Sequence, residues 1–374
     1  MAEPTCWMDL ETPAALVDVD RMAANLRKVG EYCRSWGISY RPHAKTHKSR
    51  ELARAQIAAG AVGMTVATPR EAEVMAEVCQ DILMAYPPVG KPRLNRLLSL
   101  SREIRLSVAL DSQEALQGLT QEARAVGREI GVLVKVDMGM GRVGVQNISE
   151  TLRLAEAVAK AESVWYGGIL LYPGHIRTPK REQLPAIQSL TSRLATLLEA
   201  LSGAGLSPAA VSGGSTPTLF NSHLMTGVTE VRPGTWIFND RTTALLDACD
   251  WTECAYSVSA TVVSTSVPGQ VVVDAGSKAL AKEEVRATFT DPAVAAGFGC
   301  VRDRPELRVK ALSEEHGVID LANSSWRPRI GDLVRVVPNH VCVSVNLQDR
   351  LWQVQGEAVL GYWPVEARGH SRGN

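Results

Sequence analysis

Short apolar, β-branched runs alternate with helical patterns through the first two thirds of the chain. The runs at 38–43, 62–67, 81–85, 104–109, 130–137, 165–172, 209–212 and 228–231 have the length and composition of strands. Between them, 20–36, 69–78, 112–126 and 149–161 carry helical spacing, and Asp20, Ser112 and Ser149 stand where N-caps belong. Eight strands, most followed by a helix, predict a (β/α)8 barrel of the TIM type. The count alone leaves a doubly wound open sheet as the alternative. From about residue 243 the helical periodicity fades. Strand-like runs take over at 255–266, 270–274, 333–337, 341–346 and 351–354, punctuated by Gly and Pro. The fold class predicted is therefore an α/β barrel followed by a C-terminal β-rich domain. The expected bounds are 1–14 for an N-terminal segment packing with the β domain, 15–242 for the barrel and 243–374 for the β domain. The tail from 367 is polar and reads as frayed.

Length and charge narrow the classes. At roughly 150 residues per domain, 374 residues make two to three domains, enough for a core without covalent staples. Forty Lys and Arg balance forty Asp and Glu, which argues against a protein built to coat nucleic acid or an anionic membrane. The seven cysteines are scattered and form no CxxC. A reducing compartment is the default reading. The acidic start MAEPTCWMDLE has no signal-peptide pattern, and no uninterrupted apolar stretch reads as a membrane span. These features predict a cytoplasmic location.

Four clusters carry candidate chemistry. Arg41-Pro42-His43-Ala44-Lys45-Thr46-His47-Lys48 ends the first barrel strand, at the face where barrel active sites open. A lysine held beside other cations loses its proton more easily and can serve as an amine nucleophile, as pyridoxal phosphate requires. A self-solvating basic turn is the plain alternative. Asp137-Met138-Gly139-Met140-Gly141-Arg142-Val143-Gly144 contains GxGxxG. Its helix starts too late for a dinucleotide loop, so Arg142 is read as a donor to an anionic oxygen. Ser212-Gly213-Gly214-Ser215-Thr216 and Arg232-Pro233-Gly234-Thr235 follow the seventh and eighth strands, where barrels hold phosphates. The fourth cluster is Pro338-Asn339-His340-Val341-Cys342 on an expected strand. Residues two apart would face one side, and a nitrogen and sulfur pair suits zinc. A half-buried His and a core Cys remain the plain reading. Glu314-Glu315-His316-Gly317 adds a histidine upstream.

Together these motifs resemble the D-threonine aldolase and D-serine dehydratase family, over nearly the whole chain. RPHAKTHKS is the most specific of them. The resemblance implies an alanine-racemase-like barrel, pyridoxal 5'-phosphate on a Schiff-base lysine at Lys45, and Arg142 facing the cofactor's phenolic oxygen. It implies Tyr172, in LLYPGH, beside the cofactor, with phosphate contacts from Gly214, Ser215, Thr216, Gly234 and Thr235. It also implies a divalent metal, zinc or manganese, at His340 and Cys342, and it brings His175 near a family catalytic histidine. The function implied is cleavage of a β-hydroxy D-amino acid to glycine and an aldehyde by a homodimer. The alternative is dehydratase-type elimination to a keto acid and ammonia, because aldolase members carry aspartate where Cys342 stands. A non-catalytic pyridoxal-phosphate carrier and an amino-acid racemase are further alternatives. No nucleic-acid or membrane partner is expected.

Overall fold

The computed structural model describes residues 4–321 and 324–369. The end of the polar tail, 370–374, and the first three residues of the acidic start lie outside the described residues. The chain divides into two compact units. The first contains Val29–Ile176, Lys180–Gly234 and the residues from Ala367. The second contains the residues up to Lys28, Arg177–Pro179 and Thr235–Glu366. These bounds differ from those expected at 15 and 242. The strand β1 (Ala14–Asp18) pairs with strands more than two hundred residues away, a partnership no local pattern announces.

The first unit holds eight strands: β2 (Ser39–Tyr40), β3 (Met64–Val66), β4 (Asp81–Met84), β5 (Arg105–Leu110), β6 (Ile130–Val136), β7 (Val164–Leu171), β8 (Ala210–Gly213) and β9 (Glu230–Val231). All neighbours pair in parallel, in the order β2-β9-β8-β7-β6-β5-β4-β3. Val62 N donates to Tyr40 O (3.0 Å) and Thr65 N to Pro42 O (2.9 Å), with His43 bridging Thr65. These bonds close the sheet into a barrel and remove the open-sheet alternative. Strands covered on both faces read as continuous apolar runs, and every residue of β6 is buried. Leu83, Ala109, Leu133 and Leu170 form one layer of the interior, with Ala85 packed on it. Losing one such leucine to alanine costs about 2–5 kcal/mol. Two residues further along β5, β6 and β7 the alternation puts Asp111, Lys135 and Tyr172 on the same side, so the filling turns polar toward the strand ends.

The interior also contains a charged network. Arg41 Nε donates to Glu230 Oε2 (2.9 Å) and Nη1 to Asp81 Oδ1 (2.6 Å). Burial opposes the Arg41 charge, but Glu230 and Asp81 more than offset it and raise its pKa. Removing one partner would strand a buried charge, at a cost of about 3–5 kcal/mol.

Two of the expected helix caps move. Asn147, not Ser149, caps the helix Ile148–Lys160 by accepting from Glu150 N (2.9 Å). Asp18, ahead of Asp20, accepts from Arg21 N (3.0 Å) at the start of Val19–Ser35. Ser112 caps Gln113–Val126 as expected.

The second unit is a sheet of β1 with β10 (Tyr256–Ser264), β11 (Gln270–Val273), β12 (Gly299–Val301), β13 (Arg304–Leu312), β14 (Gly317–Asp320), β15 (Leu333–Pro338), β16 (Arg350–Gln355) and β17 (Ala358–Pro364). Strand β11 pairs with both β14 and β10, so six antiparallel strands close into a ring. The strand expected at 341–346 is a helix, Val341–Asn346. Its β-branched alternation imitates a strand. Its buried residues, Val341, Ser344 and Val345, instead follow the i, i+3, i+4 spacing of a helix. Among the described residues no helix is long and apolar enough to cross a membrane.

Candidate active site

The lysine loop leaves β2 as a short 3-10 turn, Ala44–Thr46, capped by His43, whose Nδ1 accepts from Lys45 N (3.4 Å). Lys45 is exposed. The RPGT loop packs against this turn. His43 N donates to Pro233 O (3.0 Å), and a Cβ on Gly234 would lie 2.7 Å from Thr46 Oγ1. No side chain fits there. Gly214 has φ of +80°, and its missing Cβ would lie 2.9 Å from Val231 Cγ1. Ser215 N and Thr218 Oγ1 close the turn at 3.3 Å. The two glycines therefore let backbone come close to β9 and to the lysine turn. Ala367 N donates to Lys48 O (2.9 Å), tying the end of the chain to the same loop.

The GxGR segment is wound around one carboxylate. Asp137 accepts from the N–H groups of Gly139 (3.0 Å), Met140 (2.7 Å) and Gly141 (2.8 Å). Burial opposes its charge, yet these donors and Gln146 hold it below the usual carboxylate range. The segment then folds back, with Val145 N on Lys135 O (2.8 Å), and its helix begins only at Ile148. A dinucleotide loop runs straight into its helix, so that reading is excluded. The turn places the Arg142 guanidinium over the Tyr172 ring at 5.3 Å. The His175 ring lies against Gly139, 3.1 Å from where a Cβ would sit. Arg142, Tyr172 and His175 thus form one wall.

Two cations dominate the interior: Lys135, which the sequence reading missed, and Arg232, from the RPGT loop. Lys135 donates to Ala85 O (3.1 Å). Burial, then Arg232, Arg142 and Lys45, lower its pKa to about 8, against Asp111. Arg232 is buried and bonds Ser212 Oγ (2.5 Å) and Leu171 O (2.8 Å); burial lowers it to about 10. His43 is pushed well below its ordinary value by burial, Lys45, Arg232, His47 and Lys135. Asp111 accepts from Gly144 N (2.8 Å). The signal for Lys135 was a lone lysine inside the apolar run of β6. The buried lysine among cations is thus Lys135, while Lys45 stands exposed. A cationic mouth with two glycine-lined turns fits a phosphate-bearing cofactor.

The second unit holds His340 and Cys342 at the start of the helix Val341–Asn346, not on a strand. His340 is the extended N-cap residue, so the pairing rests on helix geometry rather than strand alternation. Asp240, fully buried, accepts from Val341 N (3.0 Å) and contacts His340 Nδ1 (3.3 Å). It also caps Arg241–Leu245. Burial opposes protonation of His340, but Cys342 and Asp240 raise its pKa well above the ordinary value. Thr235 Oγ1 lies 3.6 Å from Cys342 Sγ. A carboxylate fixing one ring nitrogen is the usual support of a metal-binding histidine. Among the described residues no group of three His, Cys, Asp or Glu gathers to hold an ion. The donor pair fits a divalent ion with positions left open. Glu314, Glu315 and His316 form an exposed turn from β13 to β14, which starts at the buried Gly317, with Glu314 and Glu315 on Lys278.

A parallel eight-stranded barrel with this lysine turn, and an antiparallel unit after it, define the alanine-racemase-like class. Residues 17–242 match the family described as alanine racemase, N-terminal domain, and 255–354 match the "putative serine dehydratase domain". The D-threonine aldolase of an Arthrobacter species is 32% identical over 373 residues, covering 97% of this chain and 94% of that one. The crystal structure of D-threonine aldolase from Filomicrobium marinum superposes with a TM-score of 0.89 at 30% identity, covering 98% of this chain and 99% of that one. D-threo-3-hydroxyaspartate dehydratase from a Delftia species superposes with a TM-score of 0.87 at 29% identity, covering 99% and 100%. Variants of that dehydratase, with a histidine and a cysteine two positions apart singly replaced by alanine, are also solved, the cysteine variant in a metal-free form. The chain belongs to the D-threonine aldolase and D-serine dehydratase family. It is a lyase of the pyridoxal-phosphate-dependent kind, and pyridoxal 5'-phosphate and a divalent metal are the family's cofactors.

Proposed function

We propose that this protein cleaves β-hydroxy D-amino acids between Cα and Cβ, giving glycine and an aldehyde. The observation that carries the reading is the cation-rich barrel mouth, where the exposed Lys45 turn packs on Gly234 beside the Arg142, Tyr172 and His175 wall. Likeness to D-threonine aldolase over 97% of the chain supports it. Bound pyridoxal phosphate supplies an electron sink and a bound divalent ion supplies Lewis acidity toward a hydroxyl oxygen. Lys45 Nζ holds the cofactor covalently. Gly214, Ser215, Thr216, Gly234 and Thr235 hold its phosphate, while Arg142 and Tyr172 orient its ring. A ring nitrogen of His175 takes the β-hydroxyl proton. His340 and Cys342 hold the ion, and Asp240 fixes the tautomer of His340.

Elimination to a keto acid and ammonia is the second reading. Cys342 favours it, since the histidine and cysteine replaced in the dehydratase have the same spacing. In that case Lys45 Nζ moves the Cα proton. Both readings take a homodimer working in the cytoplasm. The seven free cysteines support a reducing compartment, and a fully active monomer in sedimentation would remove the dimer. Product identification decides the reaction. Glycine with an aldehyde supports cleavage, ammonia with a keto acid supports elimination, and turnover of neither kind on a panel of β-hydroxy D-amino acids removes both.

A further inference from the structure

We propose that the second unit contains a binding site for a small organic carboxylate, in a cavity of about 380 Å³ into which Arg241 and Arg308 project. Arg241 is a charge that lacks its opposite. Arg241 is only 2% exposed. Its guanidinium bonds two neutral acceptors, Asn339 Oδ1 (2.9 Å) and Val294 O (2.9 Å). Arg308, half-buried, bonds the carbonyl of Ala293. Among the described residues neither arginine forms an ion pair with a carboxylate, whereas Arg41 in the barrel has two.

Burial lowers the Arg241 pKa, Cys300 opposes this and Arg308 adds to it. Cys300, in the same wall, does not supply the missing charge, because burial pushes its thiol up and keeps it neutral. A buried cation without a counter-charge is costly, and two facing one cavity are costlier. An anion entering the cavity relieves both.

The remaining walls define the rest of the ligand. Leu245, Val294 and Trp251 are apolar surface, and a cavity of this size matches small-molecule pockets. A planar carboxylate suits paired guanidinium forks, and an apolar body suits the walls. Asp247 and Asp250 also line the cavity; both are exposed, so water screens their charge, unlike that of the buried Arg241.

The test is calorimetric titration of the holoenzyme with sodium benzoate, its uncharged match benzamide, and inorganic phosphate. Saturable benzoate binding is expected, with benzamide weaker by about tenfold or more. Arg241 also fastens Asn339, so Arg308→Gln and Ala244→Phe are the variants of choice. One removes a charge and the other fills the space. Each should weaken benzoate by about tenfold or more and leave the visible absorbance of the cofactor unchanged. Absence of benzoate binding, or binding undiminished in both variants, overturns the site. Binding of phosphate in place of benzoate overturns the carboxylate assignment.

Discussion

His43 in the barrel and His340 in the second unit are pushed in opposite directions. Burial disfavours the charged form of both. Around His43 the neighbours are Lys45, Arg232, His47 and Lys135, which add to burial and hold the ring neutral. Around His340 they are Cys342 and Asp240, which overcome burial. One unit concentrates positive potential and waits for an anion. The other sets an imidazole beside a thiol, with a buried carboxylate behind the imidazole ring. The two histidines thus stand in opposite electrostatic surroundings, one in each unit.

The sharpest way to break this division is to remove one receiver and ask whether the other persists. Lys45→Ala should abolish turnover, by roughly 10⁴-fold or more. It should abolish borohydride-stable labelling by pyridoxal phosphate while leaving bound metal unchanged by elemental analysis. Labelling that maps to another lysine, Lys135 in particular, would contradict the assignment of Lys45. The mirror experiment is His340→Ala, or chelation. Metal content and turnover should both fall by about 10²-fold or more, with the visible band of the cofactor intact. Full activity of a metal-free protein would end the metal role.

Asp240→Asn should have a smaller effect, because it loosens His340 without removing a donor. A loss of about 10–100-fold in metal affinity is expected, largely without change in pyridoxal-phosphate affinity. Equal losses of both would show that Asp240 serves folding rather than the ion.

The smallest effect concerns Lys135 and the stability of the apoprotein. Its pKa in the folded chain, about 8, lies below the ordinary 10.5. Between those values the unfolded chain holds a proton that the folded chain has released. Stability therefore rises with pH across that window and is lower at and below pH 8, where the folded chain must carry the charge. Denaturant melts of Lys135→Met should lack this rise, which is worth about 1–3 kcal/mol. A parallel rise in wild type and variant would place the titrating group elsewhere.

The barrel was legible because each of its strands is a short apolar run bounded by breakers, and each sequence run overlaps an observed strand. The phosphate-type turns and the GxGR segment were legible for a related reason: glycine marks where a side chain does not fit, as at Gly234. Lys135 was not, because one lysine in IGVLVKV reads as a surface position until the strand is known to be enclosed. The helix at Val341–Asn346 was misread because Val-Cys-Val-Ser-Val satisfies period two. What settles it is Asp240, about a hundred residues earlier, capping Val341 N. The strand β1 escaped because its partners lie far along the chain, whereas β12, β13 and β14 pair through short turns and escaped because runs such as RPELRVKAL mix charged with apolar residues.

The bond from Ala367 to Lys48 has a consequence for biosynthesis. The turn that presents Lys45 is made within the first fifty residues, but its last tie comes from a residue near the other end of the chain. During translation the nascent barrel emerges with that turn lacking this bond, which forms only once residue 367 has left the ribosome. Fragments that stop short of Ala367 carry a lysine turn that lacks this fastening.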